Sequence, residues 1–263
     1  MRALLYVDPS PRGEWALTLA SLVSPGFLSG LTLLVTEEDA GRDPELLART
    51  RAALGEAGKM AAEAVGPGPA ERAIVRETAS GAYGLVIVPP AGRNALQRMI
   101  RGSRMASVVR SVHASVLVAK RPPAAIPRLL AAVSDGPLMR PVLREAAALG
   151  RGLGARVDAL HVVSDVALPF RPHSGAASAG GPGEDGAAAV RAAAREAGIG
   201  TELLIREGLV VDEVLAEVEA GAYPLLAIGG PPESRSEGWA REDVAERILL
   251  QCPASVLVVR GGL

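Results

Sequence analysis

The sequence holds a single cysteine, Cys252, so no disulfide can close within the chain, and no Cys-His spacing for a metal site occurs. A reducing cytoplasm is the expected location. Aromatic residues make up only 3% against 49% hydrophobic, which leaves any core to Val, Leu, Ile and Ala, as in α/β proteins built on a parallel sheet. Excess charge of either sign is missing too. A formal net charge of −1 argues against a surface shaped throughout for nucleic acid or an anionic membrane, so any phosphate binding must be local. Lysine occurs only at Lys59 and Lys120, leaving 26 of the 28 basic residues as arginine. That bias fits a GC-rich coding sequence, with heat adaptation through arginine ion pairs the weaker explanation. No apolar run approaches the roughly 18 residues of a membrane span. The opening "MRALLYVDPS" reaches Asp8 too soon for a signal peptide, so neither secretion nor membrane insertion is expected.

What the sequence does contain is repetition. "GAYGLVIV" at Gly81 returns as "GAYPLLAI" at Gly221, and "ASVLVAK" at Ala114 returns as "ASVLVVR" at Ala254, both at an offset of 140. Earlier in the unit, "RALLYVD" at Arg2 matches "RLLAAVS" at Arg128 at an offset of 126, and "LLVT" at Leu33 matches "LHVV" at Leu160 at 127. The extra length falls in residues 164–190, a Gly-, Ser-, Pro- and Ala-rich stretch that reads as a mobile insertion and includes a solvated His173. The proline-dense "KRPPAAIP" at 120–127 reads as a linker. Two domains are therefore expected, 1–122 and 127–263.

Within each unit, apolar runs alternate with helical segments. In the leading copy strands are expected at 3–7, 31–35, 61–65, 85–88 and 115–119, and helices at 13–22, 44–59, 70–80 and 102–112. This order predicts an α/β fold of two tandem, doubly wound, parallel five-stranded sheets, related by a pseudo-twofold axis with their last strands meeting across it. Ligands on such sheets bind beyond the carboxyl ends of the strands, where the strand order reverses.

Three loops of the leading copy converge there: "VDPSP" after the first strand, "VTEED" after the second and "VPPAGRNALQRMIRGSR" after the fourth. Gly102 and Ser103 stand where a helix begins, and a serine N-cap beside glycine leaves backbone N–H groups facing outward at the positive end of the helix dipole. Gly92 lets backbone approach an anion closely. Among Arg93, Arg98, Arg101 and Arg104, paired N–H donors could add charge for phosphate. Taken alone, the same residues also fit a helix cap on an ordinary surface loop.

The arrangement resembles the universal stress protein family, whose nucleotide-binding members carry G-x2-G-x9-G-[S/T] after the fourth strand. Nine residues separate Gly92 from Gly102-Ser103 here. "VDPS" at 7–10 resembles the family's opening V-D-G-S, and "ASVLVAK" and "PASVLVVR" resemble its closing strand. The resemblance implies a Rossmann-like fold of the adenine nucleotide α-hydrolase type. It further implies that Val7, Asp8 and Ser10 lie at the adenosine, that Val35 flanks the base, and that Val88, Pro89 and Pro90 line its other side. Gly92, Arg93, Gly102, Ser103 and Arg104 would receive the phosphates of ATP, ADP or AMP, with a magnesium ion sharing the charge. Pro89 replaces the first motif glycine and removes a donor.

The trailing copy departs further. The offset of 140 puts Gly229 and Pro232 at the first two motif positions and Glu242-Asp243 where Gly-Ser belongs, setting carboxylates at the phosphate seat. Ser134 replaces the first-strand aspartate, with Asp135 one residue on. His161, His113, Trp15, Trp239 and Cys252 read as packing or surface residues. No nucleophile-base pair or carboxylate pair emerges, so no catalytic residue is assigned. The expected function is a cytoplasmic stress-response module that binds an adenine nucleotide in the leading copy. The alternatives are an ATP-cleaving or adenylating enzyme of the same superfamily and a non-binding interaction protein. The two copies are expected to form a pseudo-dimer within one chain; homodimers of that chain are left open.

Overall fold

A computed structural model describes residues 1–90, 104–164, 182–200, 203–230 and 239–261. The leading copy runs β1 (Arg2–Tyr6), α1 (Gly13–Phe27), β2 (Gly30–Thr36), α2 (Glu37–Arg42), α3 (Leu46–Ala53), α4 (Glu56–Lys59), β3 (Ala62–Gly66), α5 (Ala70–Thr78), β4 (Leu85–Val88), α6 (Arg104–Ser111) and β5 (Ser115–Val118). The trailing copy follows with β6 (Arg128–Val133), α7 (Met139–Leu153), β7 (Arg156–Val163), α8 (Pro182–Glu196), β8 (Leu203–Glu207), α9 (Val210–Ala220), β9 (Leu225–Gly229), α10 (Trp239–Gln251) and β10 (Ser255–Val259).

The central strands are apolar at successive positions because both sheet faces are covered. Leu5, Leu33, Ile87 and Leu117 fall in the core beneath α1, and Leu4, Leu34, Val86 and Val116 in the core on the opposite face. Strand order is β3-β2-β1-β4-β5-β10-β9-β6-β7-β8 in one ten-stranded sheet. All pairings are parallel except the central one. There β5 and β10 run antiparallel, with Val118 opposite Val256, Leu117 opposite Leu257 and Val116 opposite Val258. The two expected five-stranded sheets are thus halves of one, and their last strands do meet.

The seam closes symmetrically at both ends. The Ser115 hydroxyl accepts from the Arg260 backbone N–H at 3.2 Å, and the Ser255 hydroxyl accepts from the Lys120 N–H at 3.0 Å. Each following cation then caps a helix of the other copy: Lys120 Nζ donates to the carbonyls of Leu249 and Cys252 at the end of α10, and the Arg260 guanidinium donates to the Val109 carbonyl in α6. Cations at helix C-termini meet unpaired carbonyls and the negative end of the dipole. Above the seam, α1 crosses α7 with backbone against backbone. A Cβ built on Gly26 would lie 2.3 Å from the Gly152 carbonyl oxygen, and these two glycines sit at equivalent places in the repeat.

Several expected elements differ. The helix expected over 44–59 breaks into α3 and α4 at Gly55, whose φ of +58° favours glycine. The first helix continues past Leu22 to Phe27, with Pro25 in its last turns. The loop expected after β2 is the short helix α2, because Thr36 caps it: the Asp39 backbone N–H donates to Thr36 Oγ1 at 3.1 Å. In the insertion expected over 164–190, the end forms the start of α8, while 165–181 and His173 lie outside the described residues. In the linker, Ile126 is buried, and Arg121 places its guanidinium 5.7 Å from the Trp15 ring centroid. Among the described residues no helix is long and apolar enough to cross a membrane.

Candidate functional site

The turn from β1 into α1 is shaped by its own polar groups. Asp8 Oδ1 accepts from the Ser10 N–H at 2.7 Å, the Ser10 carbonyl accepts from the Gly13 N–H at 2.8 Å, and Ser10 Oγ accepts from the Arg12 N–H at 3.3 Å. Gly13 presses so tightly on the Asp8 carbonyl that a Cβ there would lie 1.9 Å from its oxygen. Only glycine fits this approach. The result fixes Asp8 at the carboxyl edge of the sheet, between β1 and the first turn of α1.

Beside that turn opens a cleft of about 260 Å³, with Val7, Asp8 and Ser10 on one wall and Leu46, Arg49 and Thr50 of α3 on the other. Its size lies near the lower end of small-molecule sites, about 300 Å³. The α3 wall was not anticipated from sequence, which placed a single helix over 44–59. Arg49 is held by Asp43, with Nη1 3.0 Å from Oδ1, and the bond to Arg49 keeps the exposed Asp43 carboxyl below its usual range.

Val35 is fully buried in the core under α1, so its backbone, not its side chain, is what a ligand at the strand end could meet. Val88 is buried on the opposite sheet face beside Tyr6, Pro89 is buried and Pro90 half-buried just beyond it. Gly92, Arg93, Gly102 and Ser103, and with them Arg98 and Arg101, lie outside the described residues, and Arg104 opens α6. The structure therefore brings together the β1, β2 and β4 ends, while the expected phosphate loop is not among the parts described. No group of three His, Cys, Asp or Glu side chains suited to a metal occurs among the described residues. A magnesium ion would have to take most of its oxygens from the nucleotide's own phosphates and from water.

At the end of β1, Tyr6 Oη donates to Asp39 Oδ2 at 3.3 Å, and Thr36 Oγ1 donates to the same oxygen at 2.6 Å. Burial, then the charges of Asp39 and Asp8, push the Tyr6 phenol far above its ordinary value, so it stays a donor. Thr36→Ala removes the α2 cap and one of these hydroxyls. We expect a loss of about 1 kcal/mol in urea unfolding, with the β-sheet circular dichroism unchanged.

At the equivalent edge of the trailing copy two elements pack close to the strand ends. Leu138, which precedes α7, packs over the ends of β9 and β10 so closely that a Cβ at Gly229 or at Gly261 would lie 3.1 Å from its side chain. From the other side α8 sits down on the strand ends: a Cβ at Gly186 would be 3.3 Å from His161 Nε2 and 3.7 Å from Asp135 Oδ2. His161 is buried with Nδ1 3.0 Å from the Val133 carbonyl, a packed histidine as expected. Ser134 is exposed. The side chains of Trp239, Glu242 and Asp243, and Pro232 altogether, lie outside the described residues. Cys252 is buried at 2% exposure, and burial pushes its thiol up, so it behaves as a small apolar residue.

Comparison with known proteins gives two matches to the model of the universal stress protein family, over residues 5–120 and 126–260. No curated protein matches the chain. Among solved structures, a universal stress protein from Archaeoglobus fulgidus is 17% identical, with a TM-score of 0.73 over 99% of this chain and 96% of that one. A putative universal stress protein from Pseudomonas aeruginosa is 22% identical, with a TM-score of 0.72 over 98% and 92%. A functionally unknown protein from the same species is 21% identical, with a TM-score of 0.71 over 98% and 92%. At these identities the likeness is one of fold.

Proposed function

The chain belongs to the universal stress protein family, and from that premise we propose that it is a stress-response module binding one adenine nucleotide (ATP, ADP or AMP) in its leading copy. The observation that supports this is the asymmetry of the two strand edges. In the leading copy Asp8 and Ser10 border a cleft, whereas in the trailing copy Leu138 packs against the β9 and β10 ends and α8 packs close to His161 and Asp135. The adenosine would lie along the β1 and β2 ends, with Asp8 accepting a hydrogen bond and the Val35 backbone beside the base. Its phosphates would run toward the Gly92 and Gly102-Ser103 segment, a glycine-rich sequence of the kind that lets main-chain N–H groups meet an anion. Magnesium would be carried on the phosphates.

Calorimetry with ATP, ADP and AMP, each with and without magnesium, tests this. One site per chain, occupied at submillimolar nucleotide, is the expected result. Absence of heat and of any thermal shift at millimolar nucleotide would leave an interaction protein instead. Phosphate release faster than about 1 s⁻¹, the low end of ordinary turnover, would make it an enzyme.

A further inference from the structure

Glu145 lies near the middle of α7, on a helix whose inward positions Val142, Leu143, Ala146 and Leu149 are all buried and apolar. At the equivalent place in the leading copy stands Leu19, fully buried in α1. A carboxyl group has thus been put where the repeat otherwise has a core leucine. Its Oε2 accepts from Ser115 Oγ at 2.8 Å. Its Oε1 is buried and has no hydrogen-bond partner among the described residues. Ser115 in turn accepts from the Arg260 N–H at 3.2 Å. One short chain of hydrogen bonds therefore ties α7 of the trailing copy to β5 of the leading copy and to the end of β10.

We propose that Glu145 is a proton-operated latch on the seam between the copies: as the neutral acid it holds α7 against β5 and β10, and as the carboxylate it loosens that joint. A carboxylate with a buried oxygen needs several donors to replace water, and among the described residues this half-buried one has a single hydroxyl. The neutral form leaves only a dipole at Oε1, which costs far less. Burial accordingly pushes the Glu145 carboxyl up to about 7, with the Ser115 hydroxyl pulling the other way.

No charge on the surrounding elements offsets this among the described residues. On α1 the one charged residue is Glu14, out at the cleft. On α8, Glu196 is taken by Arg140 and Arg144, while Asp185, Arg191 and Arg195 are exposed. At the far edge Arg128 and Arg156 close on Asp158, and His161 bonds the Val133 carbonyl. Lys120 and Arg260 are spent on helix carbonyls.

The sign follows from linkage. Below the unfolded-chain value near 4.5 the group is neutral in both states and the joint is at full strength. Between there and about 7 the folded protein keeps a proton that the unfolded chain releases, so stability falls as pH rises. Above that window the loss is complete and constant.

Thermal unfolding of the full chain and of Glu145→Gln, scanned from about pH 5 to about pH 8, tests the latch. The wild type should lose on the order of 5 °C of Tm relative to the variant across the scan. Glu145→Leu, which restores the residue type of the leading copy, should behave like Glu145→Gln and guards against a folding defect of either. Amide exchange at Leu117 and Leu257, corrected for intrinsic rate, should quicken at alkaline pH in the wild type alone. Parallel Tm curves for all three proteins, or a Glu145 carboxyl titrating in the ordinary range by carbon NMR, would overturn the proposal.

Discussion

Alanine at Gly13 is expected to cost about 3 kcal/mol of folding stability, read as a lowered urea midpoint and a Tm roughly 10 °C lower. The added methyl would lie 1.9 Å from the Asp8 carbonyl oxygen and 2.9 Å from its carbon, and both are backbone atoms that no rotamer change can move. The β1–α1 turn must then open, taking the Ser10 to Gly13 bond with it. Nucleotide binding should disappear in the same variant. Gly41→Ala is the matched control. Gly41 lies in α2 with nothing within 4 Å of its Cβ direction, so alanine there should be neutral or slightly stabilising through its better helix propensity. A Gly13→Ala protein as stable as Gly41→Ala would show the turn to be looser than its contacts imply.

The second large effect concerns ligand affinity. Asp8→Ala should weaken nucleotide binding by roughly 10- to 100-fold, the range for a hydrogen bond to a charged group. It should change unliganded stability far less than Gly13→Ala, since among the described residues the side chain accepts one bond, from the Ser10 N–H. Asp8→Asn keeps an acceptor oxygen without the charge and should fall between. Equilibrium dialysis with labelled ATP measures both. The reciprocal substitution, Ser134→Asp in the trailing copy, should create no second site, because Leu138 covers the Gly229 strand end. Unchanged affinity in Asp8→Ala would move the nucleotide away from the β1 edge.

Much of this architecture can be read from the chain because its signals are local and repeated. The apolar runs at Leu85 and Leu225 and at Val116 and Val256 mark buried parallel strands, and their common offset foretells the seam. Asp8 sits where the order of strands reverses, so its place at an edge was also legible. What escaped was set by single interactions. The Thr36-Asp39 cap turned an expected loop into α2, and Gly55 broke a helix that periodicity would have kept whole. The α3 wall of the cleft could not be foreseen because it depends on where that break leaves the chain. Glu145 was invisible for a different reason. A charged residue directly after Arg144 on an amphipathic helix reads as solvated, and only the packing of α7 over the seam brings it under cover.

Because β5 and β10 are joined by one polypeptide, their pairing is a first-order event: dilution cannot part them, and no assembly step has to be completed before the sheet is continuous. It also removes an obligation that identical subunits share. A change on one side of a true symmetry axis is copied to the other, whereas here leucine at position 19 and glutamate at 145 can face the same place in the repeat, leaving one half free to specialise while the other keeps its shape.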